Sequence, residues 1–446
     1  MAEQMKPSGI DWIVDIPESW DVVRIKDIGT YRNGLTYAPE DITEDDNGTL
    51  VLRSSNIQNG KISYDDNVYV KCSVSPELMV KKGDIIICSR NGSRELIGKN
   101  AIIENSGLPC SFGAFMMVYR CSCPRYMYYI LNSEVFSYYL GTFLTSTINQ
   151  LTGNNFGNMK IVFCKDHNEQ KKIVDFLDKE CARIDSIAAD LEKQIALLQQ
   201  YKKSLITETV TKGLDKSVPM KDSGVEWIGE IPNTWDCKKM KYVISEPLQY
   251  GANEAGDDYK EDYPRYIRIT DITEENSLKD DGKLSLSPDI AKPYLLKDGD
   301  LLFARSGATV GKTFYYTSNY GTCAFAGYLI KARFNQDKMN PKFVYYTTLG
   351  IGYENWKNTV FTQATIQNIG ADKYAQLYIT VPSMKEQNEI IAYLDTQCKA
   401  IDDVIHSKYQ QLSTIQEHKK SLIYEYVTGK KTSEGGAVRW PSKQGN

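Results

Sequence analysis

The sequence predicts a mixed α/β (α+β) fold that is built twice, with each copy a globular domain followed by a long helix. Three observations predict it. The chain of 446 residues repeats itself with a period of about 215 residues. Each copy ends with a long segment whose apolar residues have helical spacing. The globular part that precedes this segment contains short apolar runs that are typical of strands. Because this period is far too long for a solenoid repeat, we interpret the chain as a duplicated two-part module.

The repeat is clearest at the two ends of each copy. Residues 5–21 read MKPSGIDWIVDIPESWD, and residues 220–236 read MKDSGVEWIGEIPNTWD. At the other end, KKSLITETVT at 202–211 matches KKSLIYEYVT at 419–428. The two copies therefore begin and end on the same frame.

The helical segments carry an apolar pattern that favours pairing between them. Residues 169–211 contain no Gly and no Pro. In both copies apolar residues recur at alternating spacings of four and three, as in the contact line of a coiled coil, and we call these positions the seam. The seam positions are Leu177, Cys181, Ile184, Ala188, Leu191, Ile195, Leu198, Lys202 and Leu205 in the first copy, and Leu394, Cys398, Ile401, Ile405, Lys408, Leu412, Ile415, Lys419 and Leu422 in the second. The alternative is that each helix packs only on its own globular part.

Lys202 and Lys419 occupy the same seam position in the two copies. A single polar residue in a seam often fixes the register of pairing at some cost in stability. Each helix would span roughly 65 Å at about 1.5 Å per residue. The equivalent Cys181 and Cys398 are interpreted as small seam residues, and the ten cysteines, which include no CxxC pair, as reduced thiols.

The globular parts are predicted to be rich in short strands. LVLRSSNI and YIRITDI, which align with each other, have the composition of strands. KKGDIIICSRNGS at 81–93 and LKDGDLLFARSGA at 296–308 contain apolar runs that start at a Gly-Asp turn and end at an arginine. The opening WxxxIPxxW pattern around Trp12 and Trp20 is interpreted as a structural anchor.

Between these common segments the two copies diverge. RNGLTYAPEDI follows Tyr31, whereas QYGANEAGDDY follows Leu248. A duplicated scaffold with unlike inserts indicates two similar binding modules with different targets.

Composition limits the classes of function. The formal net charge is −4, whereas nucleic-acid binders usually carry a basic excess, so any such binding needs locally clustered cations or phosphate contacts from partner subunits. The first residues contain no apolar stretch of signal-peptide type, and no run approaches the roughly 20 apolar residues of a membrane helix. We expect a cytoplasmic protein without membrane contact.

Residue patterns for catalysis are weak. The three histidines, His167, His406 and His418, fall in no grouping suited to catalysis or to a metal. SGATVGKT at 306–313 resembles a phosphate-binding loop, but Ser306 replaces its first glycine, and we interpret it as a strand turn. There is no clear proline-rich tetrapeptide of the amino-methyltransferase type and no convincing methyl-donor glycine loop.

Taken together, these motifs resemble the specificity subunit of type I restriction-modification systems. The segments that carry the resemblance are SGIDWIVDIPESWD, SGVEWIGEIPNTWD, KKGDIIICSR, KDGDLLFARS, EQKKIVDFLDKECARID and EQNEIIAYLDTQCKAID. It covers nearly the whole chain, from Met5 to about Lys430. One departure is IVFCKDHNEQ at 161–170, where the family usually has a proline-rich stretch; the second copy keeps Pro382.

The resemblance implies an organisation of the chain. It implies target recognition domains at 1–165 and 215–383, and conserved spacer helices at 166–214 and 384–430 that pair as an antiparallel coiled coil. Residues 431–446 lie beyond the repeat and are predicted to form a flexible tail. The two domains would face DNA about a pseudo-two-fold axis and touch a split, asymmetric site.

The resemblance also implies partners. The subunit would bind double-stranded DNA and dock two modification subunits, which bind S-adenosylmethionine and methylate adenine. Two restriction subunits that use ATP can join that core. No catalytic group, metal or cofactor is implied for this chain itself.

Base contacts are expected from polar side chains in the strand-turn segments. The candidates are Arg53, Asn56, Arg90, Asn91, Arg94, Lys99, Asn154 and Asn155 in the first copy, and Arg268, Thr270, Arg305, Ser306, Lys312, Gln363 and Gln367 in the second. Arg53 aligns with Arg268 and Arg90 with Arg305, so these recurrent arginines can equally hold the fold or contact phosphate. Two other functions stay open: a coiled-coil assembly scaffold without DNA contact, and a methyltransferase with its own recognition domain.

Overall fold

The computed structural model describes residues 4–44, 48–104, 110–143, 149–307, 309–362 and 368–431. The chain divides into two compact units. Unit 1 comprises Met1–Leu191 and Gln410–Asn446, and unit 2 comprises Glu192–Tyr409. Each unit therefore holds one globular part together with segments of both long helices.

Unit 1 is a mixed helix and sheet structure. Its strands are β1 (Met5–Ile10), β2 (Ile13–Pro17), β3 (Asp21–Arg24), β4 (Gly29–Asn33), β5 (Ile42–Thr43), β6 (Thr49–Leu52), β7 (Ile57–Gln58), β8 (Lys61–Ile62), β9 (Tyr69–Val70), β10 (Ile85–Cys88), β11 (Asn100–Ile102), β12 (Cys110–Phe112), β13 (Met116–Cys121) and β14 (Lys160–Phe163). Its helices are α1 (Pro124–Leu131), α2 (Glu134–Phe143) and α3 (Gly153–Asn158). The first long helix, α4 (His167–Lys212), begins in unit 1 and ends in unit 2.

Unit 2 repeats this plan. Its strands are β15 (Met220–Asp222), β16 (Glu230–Pro232), β17 (Asp236–Lys239), β18 (Gln249–Tyr250), β19 (Asp257–Asp258), β20 (Arg265–Ile267), β21 (Leu284–Ser285), β22 (Leu301–Ala304), β23 (Thr313–Tyr315), β24 (Cys323–Phe325), β25 (Leu329–Ala332) and β26 (Tyr378–Val381). Its helices are α5 (Pro288–Ala291), α6 (Pro341–Leu349), α7 (Ile351–Thr362) and α8 (Ala371–Ala375). The second long helix, α9 (Met384–Val427), begins in unit 2 and ends in unit 1.

The sheets of the two units have matching topology. Unit 1 has an antiparallel sheet of order β11-β10-β13-β4, and unit 2 has β23-β22-β25-β18. A second four-stranded sheet has the order β12-β6-β9-β5 in unit 1 and β19-β21-β20-β24 in unit 2, and in each it contains one parallel pair. The duplication inferred from sequence is therefore a duplication of three-dimensional structure.

The predicted strands LVLRSSNI and YIRITDI end earlier than expected. The strands stop at Leu52 and Ile267, and a 3-10 turn follows each. The turn forms because a side chain three residues on captures a backbone donor: Asn56 accepts the Arg53 N–H at 2.9 Å. Asp271 accepts the Arg268 N–H in the same way at 2.8 Å. Such local capping competes with continuation of the strand.

Within unit 1, segments of the two long helices pack on each other. Leu177 and Ile184 of α4 belong to the same buried cluster as Leu422 of α9. The rings of Phe176 and Tyr426 stack with centroids 4.5 Å apart. Within unit 1, segments of the two long helices are therefore in contact.

Unit 2 also brings segments of both long helices into one buried cluster. Ile206 and Val210 near the end of α4 share a buried cluster with Leu394 and Cys398 near the start of α9. Across all eighteen seam positions no side chain is exposed. Nine are buried, namely Leu177, Cys181, Ile184, Leu191, Ile195, Leu394, Cys398, Ile401 and Leu422. The others, Ala188, Leu198, Lys202, Leu205, Ile405, Lys408, Leu412, Ile415 and Lys419, are half-buried.

The WxxxIPxxW motifs pack against the ends of the long helices. Gly429 follows α9 with φ +70°, and a Cβ there would lie 2.4 Å from Pro17 and 3.3 Å from Trp20. Gly213 follows α4 with φ +73° and sits in the same way against Trp235. A positive φ at the residue after a helix favours glycine, and the close tryptophan adds a second reason for it.

Candidate nucleic-acid interface

In unit 1, three chain segments that carry predicted DNA contacts converge at the end of β10. Asn91 Nδ2 donates to Ser54 Oγ at 3.1 Å, which ties the strand end to the turn after β6. Arg90 forms a β-bridge with Gln150, and Leu151 N–H donates to the Ser89 carbonyl at 2.7 Å. Side chains from distant parts of the sequence are thereby held at one edge of the module.

Unit 2 has the equivalent convergence at the end of β22. Ser306 forms a β-bridge with Asn368, and Ile369 N–H donates to the Arg305 carbonyl at 2.8 Å. Ile269 Cδ1, in the turn after β20, lies 3.8 Å from where Gly307 would carry a Cβ. The two modules thus present corresponding strand ends with different side chains.

Arg53 and Arg268 are engaged inside their own modules. Arg53 Nη2 forms an ion pair with Asp66 at 2.9 Å. Arg268 makes a two-point ion pair with the buried Asp271, at 2.7 Å and 3.1 Å. Truncating either arginine would leave its partner carboxylate without this contact, so a scaffold role accounts for the recurrence of both.

Asn56 does not fit the predicted base-contact role. Its side chain is 0% exposed. In addition to accepting the Arg53 N–H, its amide donates to the carbonyls of Ser63 and Asp66 at 3.1 Å each. A side chain so placed cannot reach a base edge unless the turn opens, and we reassign Asn56 to positioning the turn.

Replacing Asn56 with alanine should destabilise unit 1. Buried donors and acceptors would lose their partner, which costs about 1–3 kcal/mol in the free energy of unfolding. Thr270→Ala is the matched control, because Thr270 is an exposed turn residue and surface changes usually stay within about 0.5 kcal/mol. Urea unfolding of each variant measures the difference. Equal stability of the two variants would contradict the positioning role of Asn56.

The arginines at the strand ends are more accessible. Arg90 is exposed, and its guanidinium lies 5.2 Å from the centroid of the Phe115 ring. Arg305 is half-buried and lies 4.8 Å from the Tyr250 ring centroid. Arg94 is exposed and reaches the Gly141 carbonyl at 3.5 Å. An arginine over an aromatic face keeps its charge and its outer donors available to phosphate or a base.

The remaining candidates differ in environment. Asn154 is exposed and accepts from Asn158 Nδ2 at 2.9 Å, while Asn155 and Lys99 are half-buried. Lys312 is half-buried, and burial lowers its pKa, an effect that Glu274 and Glu275 partly oppose. Gln363 and Gln367 lie outside the described residues.

Sequence reasoning missed the aromatic partners of these arginines. Phe115 and Tyr250 are far in sequence from Arg90 and Arg305, and antiparallel pairing across the sheet brings them together. No local pattern around Phe115 or Tyr250 distinguishes them from core aromatics.

The SGATVGKT segment lacks the structure of a phosphate-binding loop. Such a loop leads into a helix, whose N-terminus faces the phosphate. Here Gly311 and Lys312 lead directly into β23. Among the described residues, no group of three or more His, Cys, Asp or Glu is arranged to hold a metal ion. In the same part of the chain no helix is both long enough and apolar enough to span a bilayer.

Comparison with known proteins identifies the family. The model for the type I restriction modification DNA specificity domain matches residues 17–197 and 252–431. The type I restriction enzyme StySPI specificity subunit of Salmonella potsdam is 24% identical over 437 residues, which cover 94% of this chain and 90% of that protein. The EcoKI specificity subunit of Escherichia coli K12 is 24% identical over 449 residues, with 94% and 90% covered.

A solved structure shows the same fold. It is described as the structural basis of complex assembly and conformational transition of the type I R-M system, and it aligns with a TM-score of 0.68 at 16% sequence identity. The alignment covers 93% of this chain and 99% of that one. The family match extends over more than half of the chain and falls once in each copy of the repeat. The chain therefore belongs to the family of type I restriction-modification DNA specificity domains.

Proposed function

We propose that this non-catalytic specificity subunit reads a split, asymmetric DNA site, with the module of unit 1 on one half and the module of unit 2 on the other. The observation that carries the proposal is one framework built twice with unlike side chains at its strand ends. Asn91 follows Arg90 in one module, whereas Ser306 follows Arg305 in the other. A symmetric pair of identical modules would read a palindrome, so unlike modules suit an asymmetric target.

Direct readout then comes from the strand-end side chains, and the scaffold arginines hold them in place. The candidates at or near the strand ends are exposed or half-buried; they are Arg90, Asn91 and Arg94 in unit 1, and Thr270, Arg305 and Ser306 in unit 2. Arginine recognises guanine by two hydrogen bonds in the major groove, and asparagine recognises adenine. Because the net charge is −4, phosphate contact requires locally clustered cations or a contribution from partner subunits.

The two long helices pair as an antiparallel coiled coil in this proposal. Two ion pairs support it: Lys419 meets Asp185 at 2.5 Å within unit 1, and Lys202 meets Asp402 at 2.6 Å within unit 2. A residue further along α4 meets a residue nearer the start of α9, and this order is the one expected for antiparallel helices. Both lysines are the equivalent seam residues of the two copies, and Asp185 and Asp402 are their partners, so the same ion pair forms once within each unit.

Charge reversal tests these ion pairs. Lys202→Asp would set two carboxylates side by side and should lower the free energy of unfolding by about 1 kcal/mol, with recovery in the double variant Lys202→Asp/Asp402→Lys. The same pattern is expected for Lys419 and Asp185. Lys399→Asp is the control, because Lys399 pairs with Asp403 on its own helix. Failure of either reversal to recover stability would contradict pairing at that point.

The domain bounds and the partners of this chain are part of the same proposal. We place target recognition domains at 1–165 and 215–383 and spacer helices at 166–214 and 384–430. The chain docks two modification subunits, which bind S-adenosylmethionine and methylate adenine, and restriction subunits that use ATP can join. This chain supplies no cofactor site of its own.

DNA protection tests the proposal directly. The chain is assembled with its modification subunits on a pool of random duplexes, and bound DNA is recovered and probed for protected bases. Two protected blocks of unlike sequence, separated by a gap of constant length, are expected. Protection without sequence preference would contradict the proposal, and absence of protection would favour an assembly scaffold without DNA contact. Binding of S-adenosylmethionine by the isolated chain would favour a methyltransferase.

A further inference from the structure

Each unit carries an exposed aromatic ring on the tight turn that joins its two four-stranded sheets. In unit 1 the turn spans residues 113–116, between β12 and β13, and Met116 N–H donates to the Gly113 carbonyl at 2.8 Å. In unit 2 it spans residues 326–329, between β24 and β25, and is closed by Leu329 N–H in the same way at 2.8 Å. Phe115 and Tyr328 occupy the third position of these turns, and they are 58% and 63% exposed.

Backbone hydrogen bonds join the turns to the strand ends that carry Arg90 and Arg305. The Phe115 carbonyl accepts the N–H groups of Ser89 and Arg90, at 2.9 Å and 3.1 Å. The Tyr328 carbonyl accepts the Arg305 N–H at 3.0 Å. Each turn is therefore held beside an arginine at the edge where the strand ends converge, while the ring that it carries is mostly exposed.

We propose that Phe115 and Tyr328 enter the DNA grooves and pack against bases, one in each half-site. An aromatic ring left mostly in water forgoes the stabilisation that its burial would give. Its presence at the same turn of two modules whose strand-end side chains differ is explained if DNA covers it. Apolar side chains discriminate thymine by its methyl group, and the adjacent arginine supplies the attraction to the polyanion.

This inference rests on the proposed reading of a split site, and it adds an apolar contribution to specificity. Each ring should influence one half-site only, because each belongs to one module. The hydroxyl of Tyr328 is not required for packing, since Phe115 fills the equivalent place without one.

The test uses the complex of the chain with its modification subunits, on duplexes that carry the site mapped for the unaltered chain. When the complex is limiting, Phe115→Ala and Tyr328→Ala should each lower the methylation rate by about tenfold. This is the effect expected from the loss of one good base contact. Each variant should also lose discrimination against base changes in one half-site while keeping it in the other. Tyr328→Phe should retain the rate and the discrimination of the unaltered chain.

Two variants serve as controls. Tyr242→Ala removes a ring of matched exposure, 62%, outside these turns in unit 2, and Val14→Ala removes an exposed side chain, 64%, in unit 1. Both should methylate at the rate of the unaltered chain, and all variants should keep its thermal midpoint. If Phe115→Ala and Tyr328→Ala both leave the methylation rate and the base discrimination unchanged, this inference is overturned but the proposed function is not. Absence of sequence-dependent methylation with the unaltered chain would overturn the proposed function, and the inference with it.

Discussion

Duplicating one heptad in each long helix, residues 191–197 and 406–412, should lengthen the gap between the two half-sites by about three base pairs. Seven residues add about 10 Å of helix at about 1.5 Å each, and DNA rises about 3.4 Å per base pair. A whole heptad keeps the spacing of the seam residues unchanged, so the proposed antiparallel pairing would survive the insertion. Methylation mapping of DNA exposed to the altered complex measures the gap.

The half-sequences should not change in that experiment, because the recognition modules are untouched. A duplication in one helix alone is the control. It shifts the seam of that helix against an unaltered partner, and we expect weaker methylation and lower stability rather than a clean new gap. A variant with both duplications that methylates the original gap would refute the role of the helices as a spacer.

Replacing the module of unit 1 with that of a relative of different specificity should change one half-site completely and leave the other intact. The sequence indicates residues 22–160 as the exchanged segment, and the structure refines its ends. β3 pairs with β14 in antiparallel register, with Arg24 opposite Lys160, and Ile25 N–H donates to the Met159 carbonyl at 3.1 Å. An exchange of residues 26–158 therefore leaves the β3–β14 strand pair intact.

The matched exchange in unit 2 covers residues 241–376. It retains the β17–β26 pair and the hydrogen bond from Met240 N–H to the Leu377 carbonyl, at 2.8 Å. This exchange should change the other half-site, again with the gap preserved. Loss of both half-sequences after a single exchange would mean that the modules do not read DNA independently.

Much of the fold was predictable because its signals are periodic or repeated. The seam residues share one spacing in both copies, and all of them are buried or half-buried. The strands that begin after a Gly-Asp turn, at Ile85 and Leu301, follow from apolar runs with clear ends. These patterns are set by local geometry and by one buried face, so sequence alone carries them.

The candidate interface was less predictable because burial of polar side chains depends on distant partners. Asn56 and Arg90 are both polar residues at strand ends, yet one is enclosed by the carbonyls of residues 63 and 66 and the other is open to solvent. Each compact unit combines the start of one long helix with the end of the other. The proposed antiparallel pairing of the helices would produce this grouping, whereas the seam spacing alone does not specify a direction.

Single-base methylation mapping of genomic DNA, from a host that carries this chain with its modification subunits, tests the two-module reading most directly. The expected result is methylated adenine in two unlike half-sequences separated by a gap of fixed length and unspecified sequence. A continuous palindrome, or methylation at half-sequences with no fixed spacing, would contradict it.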